Sequence, residues 1–166
     1  MRKGGALGMG IVLALGAVAP HAQAAGCDLK GEYGYVYDGV SYDGGAAVEI
    51  AETGSFVVDA KTGSVTGTAK ATFRFPQSLW VLLRIDFAGD PGAVEVSADP
   101  CQGIVNFKAT GTVLKSSPSG LEGVSLFADQ PRSIAYTVSG KAEQFVDLIS
   151  TSAGSVLSGT AKARRP

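Results

Sequence analysis

The stretch Lys30–Gly39, "KGEYGYVYDG", carries a tyrosine at every second position. Successive side chains of a β-strand point to opposite faces. Tyr33, Tyr35 and Tyr37 would therefore share one face, while Glu32 would lie on the other. This alternation predicts a first strand whose tyrosines face the interior. They are interpreted either as core packing or as a polar-tipped wall for a ligand.

The same alternation recurs along the chain, most clearly in Ser64–Phe75, where Val65, Ala69 and Phe73 are predicted to face inward. Other strand-like segments lie at Ala46–Glu52, Ser55–Asp59, Val94–Ala98, Ile104–Leu114, Val124–Phe127, Ser133–Ser139, Gln144–Ile149 and Ser155–Lys162. Short strands at regular spacing with Gly-rich turns are typical of sandwiches and antiparallel barrels. We predict an all-β fold, a single antiparallel β-barrel of about eight strands.

Turn and loop chemistry separates these segments. Asp38-Gly39 and Asp43-Gly44 predict turns, and the Ser/Pro/Gly-rich stretch Lys115–Gly123 predicts a loop. Gly54 lies between two segments that could form one bent strand.

The chain begins with the pattern of a secretory signal peptide. Arg2 and Lys3 precede the uncharged apolar run Leu7–Val18, and Ala22-Gln23-Ala24 is an A-x-A cleavage site. The run is too short to span a bilayer. We therefore expect a signal peptide at residues 1–24, a β-barrel domain at 25–166, and a periplasmic or secreted protein.

Two cysteines, Cys27 and Cys101, remain after cleavage. An even count in an exported protein predicts a disulfide. The closed loop of about 75 residues would stabilise the fold by about 4 kcal/mol. A second interpretation is lipidation of Cys27, although the usual lipobox leucine is missing.

Composition excludes several functions. Removing Arg2 and Lys3 leaves 12 basic against 15 acidic residues, a net charge of −3, with no basic patch for nucleic acid. The only histidine, His21, leaves with the signal peptide, which excludes Ser-His-Asp and Cys-His sites and the usual catalytic zinc sites. We expect no metal, no cofactor and no transmembrane segment in the mature chain.

A transmembrane barrel of eight strands is the competing architecture. Its outward positions would include four charged residues near mid-strand, Lys70, Arg74, Glu95 and Lys108. Each would cost about 2–4 kcal/mol facing lipid at the midplane. The pattern therefore favours a barrel surrounded by water.

Carboxylates are the remaining acid-base candidates: Glu32, Glu49, Glu52, Asp86, Glu95 and Asp147. Asp86 and Asp147 stand out because each lies among apolar residues. A carboxylate inside a barrel would have a raised pKa and could move protons. The alternative, which the alternation predicts, is that each of them points outward. Asp86 shares a face with Arg84, and Asp147 is the less clear case.

The stretch Phe75–Phe87, "FPQSLWVLLRIDF", departs from simple alternation. If Leu79, Val81, Leu83, Ile85 and Phe87 face inward, then Trp80 and Leu82 lie outside. Adjacent exposed Trp and Leu suggest a contact surface, either the interface of a homo-oligomer or a ligand-closing mouth. The alternatives are cover by the Lys115–Phe127 segment or a short helix starting at Pro76.

Four segments occur in the order found in a group of exported bacterial proteins of unknown function: "CDLKGEYGYVYDG", "GSFVVDAKTGSVTGT", "ADPCQGIVNF" and "FVDLISTSAGSVLSGTAKAR". The chain resembles that family, whose pattern is a cysteine, LxGxYG, FDGxGxVxG, a second cysteine and a C-terminal VxSGxAK/R. It departs from the pattern around Phe75–Phe87 and at Lys115–Gly123. The resemblance implies a small closed barrel, similar to lipocalin-like or allene-oxide-cyclase-like barrels, and suggests a cavity but no activity.

These observations favour an exported barrel that binds a small, partly apolar ligand of unknown identity. One alternative is a structural or protein-interaction module with a filled barrel. Another is a histidine-free barrel cyclase or isomerase, although no catalytic residue is assigned. The candidate ligand-binding or contact residues are Tyr33, Tyr35, Tyr37, Trp80 and Leu82. The size of the interior cavity separates these hypotheses.

Overall fold

The computed structural model describes residues 27–43, 46–139, 145–150 and 155–163. The strands of this part of the chain are β1 Gly31–Asp43, β2 Ala46–Val58, β3 Val65–Arg74, β4 Trp80–Gly89, β5 Val94–Val96, β6 Gln102–Ser117, β7 Ser125–Ser139, β8 Phe145–Ser150 and β9 Ser155–Ala163. A three-residue 3-10 turn, Pro76–Ser78, precedes β4 where a short helix was one alternative.

The strands form one antiparallel sheet that closes on itself. Strands that follow one another in the chain are paired, from β1 to β4 and from β6 to β9. The ring closes because β4 pairs with β6 and β9 pairs with β1. The short β5 pairs with β6 alone. The predicted antiparallel barrel of about eight strands is confirmed, with β5 added at its margin.

Alternation places aromatic and aliphatic side chains inside this ring. Tyr33, Tyr35 and Tyr37 are each at most 8% exposed, whereas Glu32 is exposed. In β3, the inward positions Val65, Ala69 and Phe73 are buried as predicted. The interior assignment of both segments is confirmed, because the period of two of an extended backbone decides which face each side chain occupies.

The turn predicted at Asp38-Gly39 is wrong, since β1 continues through both residues to Asp43. Gly39 is used instead for a close approach between strands. A Cβ atom there would lie 2.1 Å from the Val156 carbonyl oxygen on β9. Glycine at this position allows β1 and β9 to pair without a steric clash.

Two further predictions change in detail. The segments on either side of Gly54 form the single strand β2. The loop predicted at Lys115–Gly123 is shorter, because β6 runs to Ser117. The predicted segments Val124–Phe127 and Ser133–Ser139 fall, apart from Val124, in one strand, β7, whose pairing with β6 is irregular near Gly111. A bulge interrupts local alternation, which explains why the sequence pattern divides this strand.

The two ends of the barrel differ. We call one the closed end, where the predicted disulfide is present: Cys27, ahead of β1, is bonded to Cys101, ahead of β6, with a Cα–Cα distance of 4.6 Å. The Cys101 carbonyl oxygen also accepts a hydrogen bond from the Val138 amide on β7. The other end, which we call the open end, holds the last residues of β1, β3, β6 and β8.

Several predictions concern parts of the chain outside the described residues. These are the signal peptide at 1–24, the Gly44 half of the second predicted turn, and Gln144 at the predicted start of β8. Within the described ranges, none of the helical structure has the length and apolar character needed to cross a membrane.

Candidate functional site

The barrel interior contains a cavity of about 570 Å³. Ligand pockets in proteins usually measure about 300–1,000 Å³. Much of the lining is aromatic, with Phe56, Phe73, Phe87, Phe107 and Phe127 contributing rings from five strands. The cavity reaches the surface at the open end, because its lining also includes Tyr42 and Leu126, which are 56% and 42% exposed. The barrel is therefore not filled by its own side chains.

A carboxylate lies inside this largely apolar cavity. Glu52 of β2 lines the cavity, and its side chain is only 8% exposed. It has the same parity along the strand as the buried Val48, Ile50 and Phe56. Glu52 is directly opposite Tyr37 in the pairing of β1 with β2, so both side chains lie on the inner face.

Two tyrosines of the first strand surround Glu52. The Tyr35 hydroxyl donates a hydrogen bond to Oε1 of Glu52. The Tyr37 hydroxyl forms a hydrogen bond with the Ser150 side chain of β8. Two of the alternating tyrosines thus present hydroxyl groups to the cavity, one hydrogen-bonded to the buried carboxyl group and one to Ser150.

Burial dominates the electrostatics of these groups. Removal from water raises the pKa of the Glu52 carboxyl group, although the Tyr35 hydrogen bond and the nearby Arg132 charge act in the opposite direction. Burial also raises the pKa of Tyr35, and the Glu52 charge adds to this effect. Burial is likewise the main reason that the pKa of Tyr37 is raised. Both tyrosines therefore remain hydrogen-bond donors at neutral pH.

Arg132 of β7 brings a positive charge to the same cavity. Its Nη1 atom lies 3.9 Å from Oε2 of Glu52, and its side chain is 23% exposed. The guanidinium carbon lies 4.9 Å from the centroid of the Phe127 ring, a cation–π contact. In the barrel pairing, Arg132 is opposite Phe107, another cavity residue. Among the described residues, the cavity lining thus combines a carboxyl group, a guanidinium group and aromatic walls.

The three candidate tyrosines separate into two roles. Tyr35 and Tyr37 line the cavity, with Tyr35 packed against Phe56 and Phe87 at ring-centroid distances of 5.9 and 6.4 Å. Tyr33 is fully buried nearer the closed end, is not part of the lining, and stacks on Phe56 at 5.0 Å. Tyr33 therefore belongs to the core, and the other two tyrosines belong to the candidate site.

Trp80 and Leu82 lie on the outer face of β4, because the residues between and beyond them, Val81 and Leu83, are buried. Both outer side chains are half-buried rather than fully exposed. The extended end of β6 pairs beside them, with Ser117 opposite Trp80. The structure does not bring these residues to the cavity lining, and their role as a contact surface for a second copy stays a prediction.

The two carboxylates that the sequence singled out lie outside the cavity. Asp86 accepts hydrogen bonds from the Arg84 guanidinium at 2.9–3.1 Å on the outer face, and Asp147 is exposed. Their outward position follows from strand alternation. The idea that either of them is an interior acid is wrong, and Glu52 occupies that position instead.

The sequence did contain a signal for both charged residues of the cavity. Glu52 is an even number of positions from Ile50 and Phe56, and Arg132 is an even number of positions from Ile134 and Tyr136. Extending the inward parity by one step would have placed both inside. The sequence does not predict that Glu52 and Arg132 lie close together, because β2 and β7 are not adjacent in the barrel.

This arrangement can do two kinds of chemistry. Aromatic walls bind an apolar body, while Arg132 and Glu52 recognise a polar group. Glu52 and Tyr35 can also hold or transfer a proton. Among the described residues there is no cluster of three or more potential metal ligands of the His, Cys, Asp and Glu types. Comparison of the chain with protein-family models, curated proteins and solved structures finds no match.

Proposed function

We propose that this protein is an exported barrel that binds a small, partly apolar ligand inside its cavity. The observation that carries the proposal is the cavity of about 570 Å³, which is lined by aromatic rings and contains the Glu52–Arg132 pair. An interior that served only packing would be filled by side chains. The filled-barrel alternative therefore has less support than ligand binding.

Export and membership of the bacterial family that the chain resembles are part of this proposal. The Cys27–Cys101 disulfide supports export, because such bonds persist mainly in oxidising compartments. The barrel fold and the pairing of the two family cysteines agree with the resemblance. A periplasmic or secreted location follows if residues 1–24 act as a signal peptide.

A neutral fluorescent dye, N-phenylnaphthylamine, tests ligand binding without depending on the charged pair. Its emission should rise in a saturable titration with the mature protein. Ile50→Trp places a larger ring in the cavity lining and should weaken dye binding by about tenfold or more. Ala51→Trp adds the same ring on the exposed face of the same strand and should leave the affinity unchanged.

Circular dichroism and thermal melts would show that both variants are folded. The proposal is contradicted if the unmodified chain does not bind the dye. It is also contradicted if folded Ile50→Trp binds the dye as tightly as Ala51→Trp does, because the dye would then lie outside the cavity.

A histidine-free isomerase is a second candidate, favoured by one observation. Glu52 is a buried carboxyl group with a raised pKa, hydrogen-bonded to the Tyr35 hydroxyl inside an accessible cavity. Such a pair could take a proton from a carbon acid and return it. This candidate requires that the protein convert a β,γ-unsaturated ketone to its conjugated isomer and that Glu52→Gln abolish the conversion.

A further inference from the structure

Arg132 has few protein partners for a partly buried guanidinium group. It offers five N–H donors in a planar fork. In the described part of the chain its contacts are the 3.9 Å ion pair with Glu52 and the Phe127 ring, and no hydrogen bond from it to a protein acceptor is formed. A ligand that supplies an acceptor would therefore find N–H donors of Arg132 that no protein group in the described ranges uses.

Glu52 has protein partners for both of its carboxyl oxygens, whereas most N–H donors of Arg132 have none among the described residues. One of its oxygens accepts the Tyr35 hydroxyl hydrogen bond, and the other faces Arg132. A cationic ligand would need to displace Tyr35 and lie close to the guanidinium group, where like charges repel. An anionic ligand is attracted to the guanidinium group and can accept hydrogen bonds from its unused N–H donors without displacing Tyr35. The cavity is therefore better suited to an acid than to an amine.

The rest of the cavity sets the character of the ligand body. The Phe127 ring lies beneath the guanidinium, and Phe73 stacks on Phe127 with a centroid distance of 6.5 Å. Phe107, which is opposite Arg132 in the pairing of β6 with β7, contacts Phe87 with a ring-centroid distance of 5.2 Å. These rings surround the charged pair with apolar surface, so a ligand with one acidic end and an apolar or aromatic body would contact both kinds of lining.

We propose that the cavity binds a small amphipathic carboxylic acid, with its carboxylate held by the Arg132 guanidinium and its body packed among the phenyl rings. This inference rests on the proposed function and narrows it to one ligand class. A guanidinium fork matches the two oxygens of a carboxylate, which a lysine ammonium does not.

Binding of an acid should be coupled to a proton. The bound carboxylate and Glu52 would share one guanidinium group, and two nearby carboxylates disfavour double ionisation. The titratable and charged groups that face Glu52 are Tyr35 and Tyr37 on β1 and Arg132 on β7. The tyrosines stay neutral at neutral pH, so Glu52 is the group that takes up the proton, and the buffer supplies it.

Calorimetric titration with three probes of the same body tests the ligand class. Decanoate, decanol and decylamine present an anion, a neutral hydroxyl and a cation. Decanoate should bind about tenfold tighter than decanol, consistent with a charge-assisted hydrogen bond, and decylamine should bind most weakly. In buffers of different ionisation enthalpy, decanoate binding above the pKa of Glu52 should show uptake of up to one proton, and decanol binding should show none.

Arg132→Gln should lower decanoate affinity about tenfold, so that decanoate no longer binds more tightly than decanol. Arg132→Lys keeps the charge without the fork and should give an intermediate affinity. Arg74→Gln, an exposed arginine of β3, is the matched control and should bind all three probes like the unmodified chain. Circular dichroism and thermal melts would show that the Arg132 variants are folded.

The inference is overturned if decanol or decylamine binds the unmodified chain as tightly as decanoate, a comparison that needs no variant. It is also overturned if folded Arg132→Gln retains full decanoate affinity. If the neutral dye and decanol bind but decanoate binds no more tightly than decanol, the proposed ligand class is wrong and the proposed function stands. If none of the probes binds, the proposed function fails with it.

Discussion

Glu52 shows how one residue sets the chemistry of a barrel interior. Burying an ionised carboxyl group is costly unless it is paired, and here the pairing consists of one tyrosine hydroxyl and one arginine at 3.9 Å. These partners do not fully offset the loss of water, because the pKa of Glu52 remains raised. The folded state therefore shifts the ionisation of this acid to higher pH than in the unfolded chain.

The raised pKa predicts how stability depends on pH. A group whose pKa is higher in the folded state stabilises the fold below its unfolded pKa, near 4.5 for glutamate, and this contribution is lost as the pH rises through the folded pKa. Glu52→Gln should remove that loss. The variant should gain stability relative to the unmodified chain above pH 4.5, by about 1.4 kcal/mol for each unit of pKa elevation.

Urea denaturation across a series of pH values measures this difference. Glu49→Gln, which changes the exposed carboxyl group three residues earlier on the outer face of β2, is the matched control. It should follow the pH dependence of the unmodified chain. An identical dependence in Glu52→Gln would mean that the folded state does not favour the neutral form of Glu52.

At the scale of elements, the barrel is closed by the pairing of β1 with β9. Two glycines allow this approach from opposite sides of the pair. A Cβ at Gly39 would lie 2.1 Å from the Val156 carbonyl oxygen, and one at Gly159 would lie 2.1 Å from the Val36 carbonyl oxygen. Real side chains do not tolerate such distances, so the backbone of both strands would have to move.

Gly39→Ala should therefore destabilise the protein by about 1–3 kcal/mol, the usual cost of overpacking. Ser158→Ala, on the exposed face of β9, should change stability by no more than about 0.5 kcal/mol. Urea denaturation midpoints of the two variants check the prediction. Equal midpoints would contradict the close approach of β1 and β9.

At the scale of the whole molecule, the disulfide and the mouth of the cavity lie at opposite ends of the barrel. The bond joins residues 74 positions apart, ahead of two strands that are not paired with each other. It therefore restrains the closed end across the ring, while the open end carries the exposed cavity residues Tyr42 and Leu126. Stability and ligand access are thus separated in space.

Loss of the disulfide should lower the free energy of unfolding by about 4 kcal/mol, because the unfolded chain regains the freedom of a long loop. The double variant Cys27→Ser/Cys101→Ser and reduction of the unmodified chain should give the same loss in urea denaturation. Added reductant should have no further effect on the double variant. A variant as stable as the oxidised chain would contradict this account.

The sequence by itself determined the inward and outward faces of the strands and the identity of the disulfide partners. Tyr33, Tyr35 and Tyr37 illustrate the first, because alternation is a property of the extended backbone and is readable over a few residues. Local chemistry was less decisive for strand ends. Asp38-Gly39 has the composition of a turn, yet its glycine serves a contact with a strand more than a hundred residues later.

Only the tertiary structure decided that Glu52 and Arg132 meet inside a cavity rather than being scattered among filled core positions. Their strands, β2 and β7, are brought face to face across the ring by the closing pairs β4–β6 and β9–β1. The size of the cavity is set in the same way, by how many strands close the ring and how they tilt. Both depend on long-range pairing, which no local period in the sequence encodes.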